Sequence, residues 1–146
     1  MVKHWIFVTK PKKYGVCSKY KVFGVDERYS ITVLNHLEPG DLVFFYINKY
    51  RIFEGPWKIV EMGIYDPLHK AVKEWEPQNK YVYLIRLDYA LDKIITCPLE
   101  RVFDKLLFLT KRKRGKGGHS GHFQFSIISI REEDYKTILT CADEQF

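Results

Sequence analysis

"LEPGDLVFFYI", residues 37 to 47, sets a turn directly against an uninterrupted aromatic and β-branched run. Pro-Gly followed by an acid is turn chemistry, and Leu-Val-Phe-Phe-Tyr-Ile is strand chemistry, so the stretch reads as a buried strand entered through a tight turn. The same pattern recurs on either side. "HWIFVT" (4–9) alternates with β-formers, "KIVEMGIYDP" (58–67) follows the Gly-Pro of "FEGPW", and "KYVYLIRLDYAL" (80–91) places Tyr81, Tyr83, Ile85 and Leu87 on one side. "HFQFSIISI" (122–130) is a further strand.

Helical spacing is rarer. In "PLERVFDKLLFL" (98–109), Leu99, Val102, Phe103, Leu106 and Leu107 form one apolar stripe behind a proline suited to the first turn. "REEDYKTILTCA" (131–142) opens with acids and turns Tyr135, Ile138 and Leu139 inward. A third helix is expected over 27–36, with Tyr29, Val33 and Leu37 inward. Five or six short strands interleaved with two or three helices, without regular βαβ alternation, define an α+β class with a curled or barrel-like sheet. At 146 residues the chain is expected to form a single domain, 1–146, without a linker or an internal repeat.

No apolar run approaches the ~20 residues of a membrane helix, and the N-terminus lacks the features of a secretory leader, so a cytoplasmic location off the membrane is expected. Cys17, Cys97 and Cys141 are far apart and outside CxxC spacing, which reads as three buried thiols. The net charge of +6 is unevenly divided. Residues 1–25 hold Lys3, Lys10, Lys12, Lys13, Lys19 and Lys21 with no acid, and "KRKRGKGGHSGH" (111–122) adds Lys111, Arg112, Lys113, Arg114 and Lys116, leaving −5 on everything else. Such segregation suits a protein that meets a polyanion on one side.

Several chemistries lack their residues. Neither GxxxxGK[ST] nor GxGxxG occurs, and the glycines of 115–121 precede a strand, so no helix dipole would face a phosphate. His119 and His122 have no Cys, Asp or Glu nearby to complete a metal shell. No GxSxG, HExxH or deaminase signature is present, and no cofactor, metal or catalytic residue is assigned. Aromatics near the cationic tracts remain: Phe23 in "KVFGV", Trp57 in "FEGPW" and Trp75 in "KEWEP" are able to stack on a nucleobase or to pack in a core.

The order "HWIFVT", "KVFGV", "LEPGD", "FEGP", "WEPQNKYVYLIRL" and "IREEDYKTI" resembles the EVE domain, a PUA-like fold related to the YTH readers of methylated adenine. The resemblance implies a β-barrel flanked by helices, and a non-catalytic module that takes a modified base of RNA or single-stranded DNA into an aromatic cage. It implies cage walls at Phe23, where a Trp is usual, and at Trp75, with Trp57 as a further candidate. Base-edge contacts are implied at Thr9, Lys10 and Gly24. Lys12, Lys13 and the 111–116 cations would hold phosphates. Other PUA-like domains suggest the alternative of a small hydrolase acting on a modified nucleoside, for which Thr9, Lys10 and Glu61 supply the residue types.

Overall fold

The computed structural model describes residues 2–26, 35–110 and 127–143. Seven strands form one mixed sheet: β1 (His4–Thr9), β2 (Val22–Val25), β3 (Leu42–Ile47), β4 (Ile52–Tyr65), β5 (Tyr83–Tyr89), β6 (Ile95–Pro98) and β7 (Ile127–Ile130). Their order is β2-β5-β4-β3-β1-β7, with β6 paired to β4 beside this path. β1 and β3 run parallel, and the other pairs are antiparallel. The expected barrel does not close: β2 and β7 end the path without pairing to each other among the described residues. The class is α+β, as expected, with one strand more than foreseen.

Strands β1 and β3 are apolar on both sides because both faces of the sheet are covered. Trp5, Phe7, Val43 and Phe45 enter one core with Trp57, Phe23, Trp75 and Ile85. Ile6, Val8, Phe44 and Tyr46 enter a second core with Leu99, Leu106 and Ile138. The turn of "LEPGD" is locked by Asp41, whose buried carboxylate accepts from Trp5 Nε1 at 3.0 Å and from the backbone N–H groups of Lys3 and Glu38 at 3.1 and 3.0 Å. Gly40 supplies the left-handed φ of 95° that this turn needs.

Among the described residues there are five helices, where two or three were expected: α1 (Pro11–Tyr20), α2 (Lys70–Glu74), α3 (Leu99–Val102), α4 (Leu107–Thr110) and α5 (Glu132–Asp143). None is long and apolar enough to cross a membrane. α1 and α2 cover the first core, while α3, α4 and α5 cover the second. The stripe at 98–109 is not one helix. It breaks after Val102 because the buried Asp134 of α5 accepts from the backbone N–H groups of Leu107 and Phe108 at 2.6 and 3.1 Å, capping a new helix from outside. The expected helix at 27–36 falls largely outside the described residues, and its last positions, Asn35 and His36, form a turn.

β4 begins earlier than expected and runs through Gly55-Pro56. These residues sit where the β3–β4 register shifts between Val43 and Phe45, a bulge in which proline costs no ladder hydrogen bond. All three cysteines are buried, yet Cys97 and Cys141 are joined in a disulfide with Cα atoms 5.8 Å apart, linking β6 to α5. The expectation of three thiols is thereby corrected: only Cys17 is free.

Candidate nucleic-acid interface

The aromatic residues separate into two groups. Phe23 on β2 stacks on Phe7 at 4.5 Å and meets Phe45 edge-on at 5.8 Å, which anchors its back to the core. Trp75 ends α2, its backbone N–H donating to Ala71 O at 3.0 Å and its Nε1 to Lys13 O of α1 at 3.2 Å. α2 is itself fixed by His69, whose Nδ1 accepts from the Ala71 N–H at 3.0 Å, and by the Tyr20 hydroxyl, which donates to Glu74. Tyr81, just before β5, meets Trp75 edge-on at 6.0 Å. Trp75, 52 positions from Phe23, is thus brought against Gly24, the next residue of β2.

Gly24 explains the glycine of "VFGV". A Cβ there would lie 2.3 Å from Trp75 Cζ3, 2.7 Å from Trp75 Cη2 and 2.7 Å from Tyr81 Cβ, so the six-membered ring of Trp75 rests on bare backbone. Trp57 belongs to the other group: its ring packs on Phe45 at 6.2 Å and Tyr89 at 5.0 Å. Its buried Nε1 has no hydrogen-bond partner among the described residues.

Phe23, Trp75 and Trp57 are each only 1% exposed, so no ring of the three offers an open stacking face. What lies against the Phe23–Trp75–Tyr81 group is a side chain of the protein itself. The Lys13 ammonium donates to Gly24 O at 3.1 Å and sits 3.8 Å from the ring centre of Tyr81, 4.5 Å from Phe23 and 5.9 Å from Trp75. Burial pulls its pKa down to about 8, since desolvation disfavours the ammonium. Tyr81 was not assigned a role from sequence, and Lys13, expected to hold a phosphate, turns inward to the Gly24 carbonyl instead. Tyr81 does share the alternation of Tyr83, Ile85 and Leu87, which was the available signal.

The remaining cations of the first tract are disposed differently. Lys3 pairs with Glu38, Lys19 with Glu74 and Lys21 with Asp88, at 3.8, 3.4 and 3.3 Å. Lys10 and Lys12 are exposed at the start of α1, next to Thr9 in the chain, and neither has an ion-pair partner among the described residues. Thr9 is buried at the end of β1, its hydroxyl directed to Lys10 O at 3.3 Å. Lys111, Arg112, Lys113, Arg114 and Lys116 lie outside the described residues.

The groups considered for hydrolysis do not assemble. Glu61 is exposed and paired with Arg86 at 3.2 Å, and it lies nine positions beyond Ile52, the residue of β4 opposite Ile47, itself opposite Thr9. That is at most roughly 30 Å along a strand that bulges twice on the way. Cys17, the free thiol near Lys13, is pushed up to about 12 by burial, the reverse of an activated nucleophile. Among the described residues no group of His, Cys, Asp and Glu is placed to hold a metal ion.

Solved structures of similar fold include human THYN1 in complex with DNA containing 5-methylcytosine (TM-score 0.60, 16% identity, 94% of this chain and 96% of that one). They also include the Pho92 YTH domain in complex with m6A (0.66, 14%, 99% and 85%) and the YTH domain of Zygosaccharomyces rouxii MRB1 in complex with N6-methyladenosine RNA (0.64, 13%, 96% and 88%). No curated protein matches the sequence significantly. The model of the EVE domain matches residues 3–141, almost the full sequence, and this chain belongs to the EVE domain family.

Proposed function

We propose that this chain is a non-catalytic nucleic-acid-binding module that takes a modified base of RNA or single-stranded DNA between Phe23 and Trp75. The observation that carries the reading is the convergence of Phe23, Trp75 and Tyr81, from three separate segments, on a single ammonium held at the Gly24 carbonyl. This is a ring-lined position with a polar acceptor at its floor, the combination that a methylated heterocycle with an N–H edge requires. A buried methyl group adds roughly 0.8 kcal/mol against the plain base. Gly24 O serves as the base-edge acceptor. Lys10, Lys12 and the 111–116 cations meet the phosphates and supply affinity without base preference. Trp57, packed on Phe45 and Tyr89, supports the site from the core. Similar folds whose partners are 5-methylcytosine DNA and N6-methyladenosine RNA support the same reading.

The test is fluorescence anisotropy with single-stranded DNA carrying cytosine or 5-methylcytosine and RNA carrying adenosine or N6-methyladenosine, at two salt concentrations. Wild type is expected to favour one modified oligonucleotide over its plain counterpart, and Trp75→Ala to lose that preference while keeping the salt slope. Equal binding of modified and plain oligonucleotides by wild type, or preference surviving in Trp75→Ala, would refute the assignment.

A further inference from the structure

We infer that Lys13 is an internal competitor for the aromatic site: in the free protein its ammonium holds the place that a ligand's ring must take, and it sets the threshold a base has to exceed. The inference rests on the function proposed above and concerns the affinity of that same site.

Lys13 was expected from its sequence context to reach outward to phosphate, as its neighbour Lys12 does in exposing its side chain. Instead it turns back over β2. Its ammonium is 3.1 Å from Gly24 O and within 3.8, 4.5 and 5.9 Å of the ring centres of Tyr81, Phe23 and Trp75. A base stacked on Phe23 or Trp75 needs van der Waals contact at about 3.5 Å, so base and ammonium exclude each other on volume alone. They also compete for one acceptor, because the lysine already occupies the Gly24 carbonyl.

The lodged position is held by attraction, since a cation over ring faces and a charge-assisted hydrogen bond both favour it. Desolvation opposes them and lowers the lysine's pKa. The balance leaves a side chain that can be displaced. A ligand then binds only the fraction of molecules with Lys13 swung out, and its apparent affinity falls by that fraction. The fraction is the same for every base, so plain and methylated bases are weakened by one factor, and the methylated one, with more buried area, is the one that stays bound.

Two measurements test the inference. In the first, Lys13→Met keeps an unbranched apolar stem and removes the ammonium. Affinities for modified and plain oligonucleotide, with the 5-methylcytosine DNA and N6-methyladenosine RNA probes, separate the two roles by direction: lost phosphate attraction lowers both, and a lost competitor raises both. Affinity is expected to rise by about tenfold for modified and plain probes alike, with the ratio between them kept. A fall in affinity for the modified probe would make Lys13 a ligand contact and overturn the inference, as would the absence of any change. Lys12→Met is the companion: weaker binding of both probes with the ratio kept.

The second measurement needs no ligand discrimination. Reductive methylation with formaldehyde and cyanoborohydride, read by mass spectrometry, is expected to label Lys13 at least tenfold more slowly than Lys12 in the free protein. Saturation with the modified probe should reverse the order, exposing Lys13 while shielding Lys12. Equal labelling in the free protein overturns the inference. If Lys13 is protected but no probe alters its labelling and Trp75→Ala binds as wild type, the base-binding reading has failed and the competitor role falls with it. If Trp75→Ala loses preference while Lys13 stays protected in the complex, the site stands and only the competitor role is wrong.

Discussion

Gly24→Ala adds one carbon where there is no room for it. The new Cβ would stand 2.3 Å from Trp75 Cζ3 and 2.7 Å from both Trp75 Cη2 and Tyr81 Cβ, against an ordinary carbon contact of about 3.5–4.0 Å. Relief cannot come from a flexible chain end. Trp75 is fixed through its backbone to Ala71 and through Nε1 to Lys13 O, so the ring must shift by more than about 1 Å and strain or break the 3.2 Å hydrogen bond. Overpacking of this kind costs about 1–3 kcal/mol and a lost hydrogen bond about 1 kcal/mol more. For a domain of this size the sum of about 2–4 kcal/mol lowers Tm by about 5–15 °C. Thermal unfolding followed by circular dichroism is the assay. The double variant Gly24→Ala, Trp75→Leu, which removes the obstructing ring, is expected to be less destabilised than the sum of its single changes. A Gly24→Ala melt within about 1 °C of wild type, or strictly additive effects, would refute the packing argument.

Asp134→Ala leaves the N–H groups of Leu107 and Phe108 without their acceptor, and should lower stability by about 1–3 kcal/mol in urea titration. Reducing the Cys97–Cys141 bond frees a loop of sequence separation 44, and loop-closure entropy puts the loss at about 4 kcal/mol, measured as a drop in Tm with added thiol. The lowered pKa of Lys13 gives a signed pH effect. Between about 8 and the ordinary value of 10.5 the folded chain binds fewer protons at this lysine than the unfolded chain, so Lys13 makes stability rise with pH across that window. Below about 8 the desolvation cost is present in full. The facing groups are Cys17, which stays protonated until about 12, with Asp26, Lys80 and Tyr81. The Tm of wild type minus that of Lys13→Met should therefore increase between pH 7 and 9.5, and a flat difference would contradict the burial of the ammonium.

The strands were legible where alternation is long. β1, β3 and β5 appear within two or three residues of their expected bounds because both periodicity and turn residues mark them. The acidic start of α5 was equally plain. α1 escaped notice because it buries only Cys17 and carries Gly15, so it has little apolar stripe; Pro11 at its first turn was the one local signal. β2 is four residues long and is defined by its partner β5. The break between α3 and α4 depends on Asp134, which is remote in sequence, and no local spacing reveals it. An unclosed sheet is invisible for a similar reason, since alternation fixes a strand's faces but not its neighbours.

The candidate site was legible only as a set of neighbours. Gly24 does meet Trp75, the Lys13 ammonium lies near the rings of both Phe23 and Trp75, and the glycine is needed for steric reasons that sequence does not state. That Lys13 would turn inward while Lys12 stays exposed follows from the direction each side chain takes from α1, which a basic tract alone leaves open.

A crystal structure of the protein with whichever modified oligonucleotide it prefers tests the central claim most directly. The expected result is the modified base between Phe23 and Trp75, an N–H of its edge on Gly24 O, and the Lys13 ammonium withdrawn from all three rings. A nucleic acid lying along Lys10 and Lys12 with every base outside, and Lys13 still on Gly24 O, would contradict it.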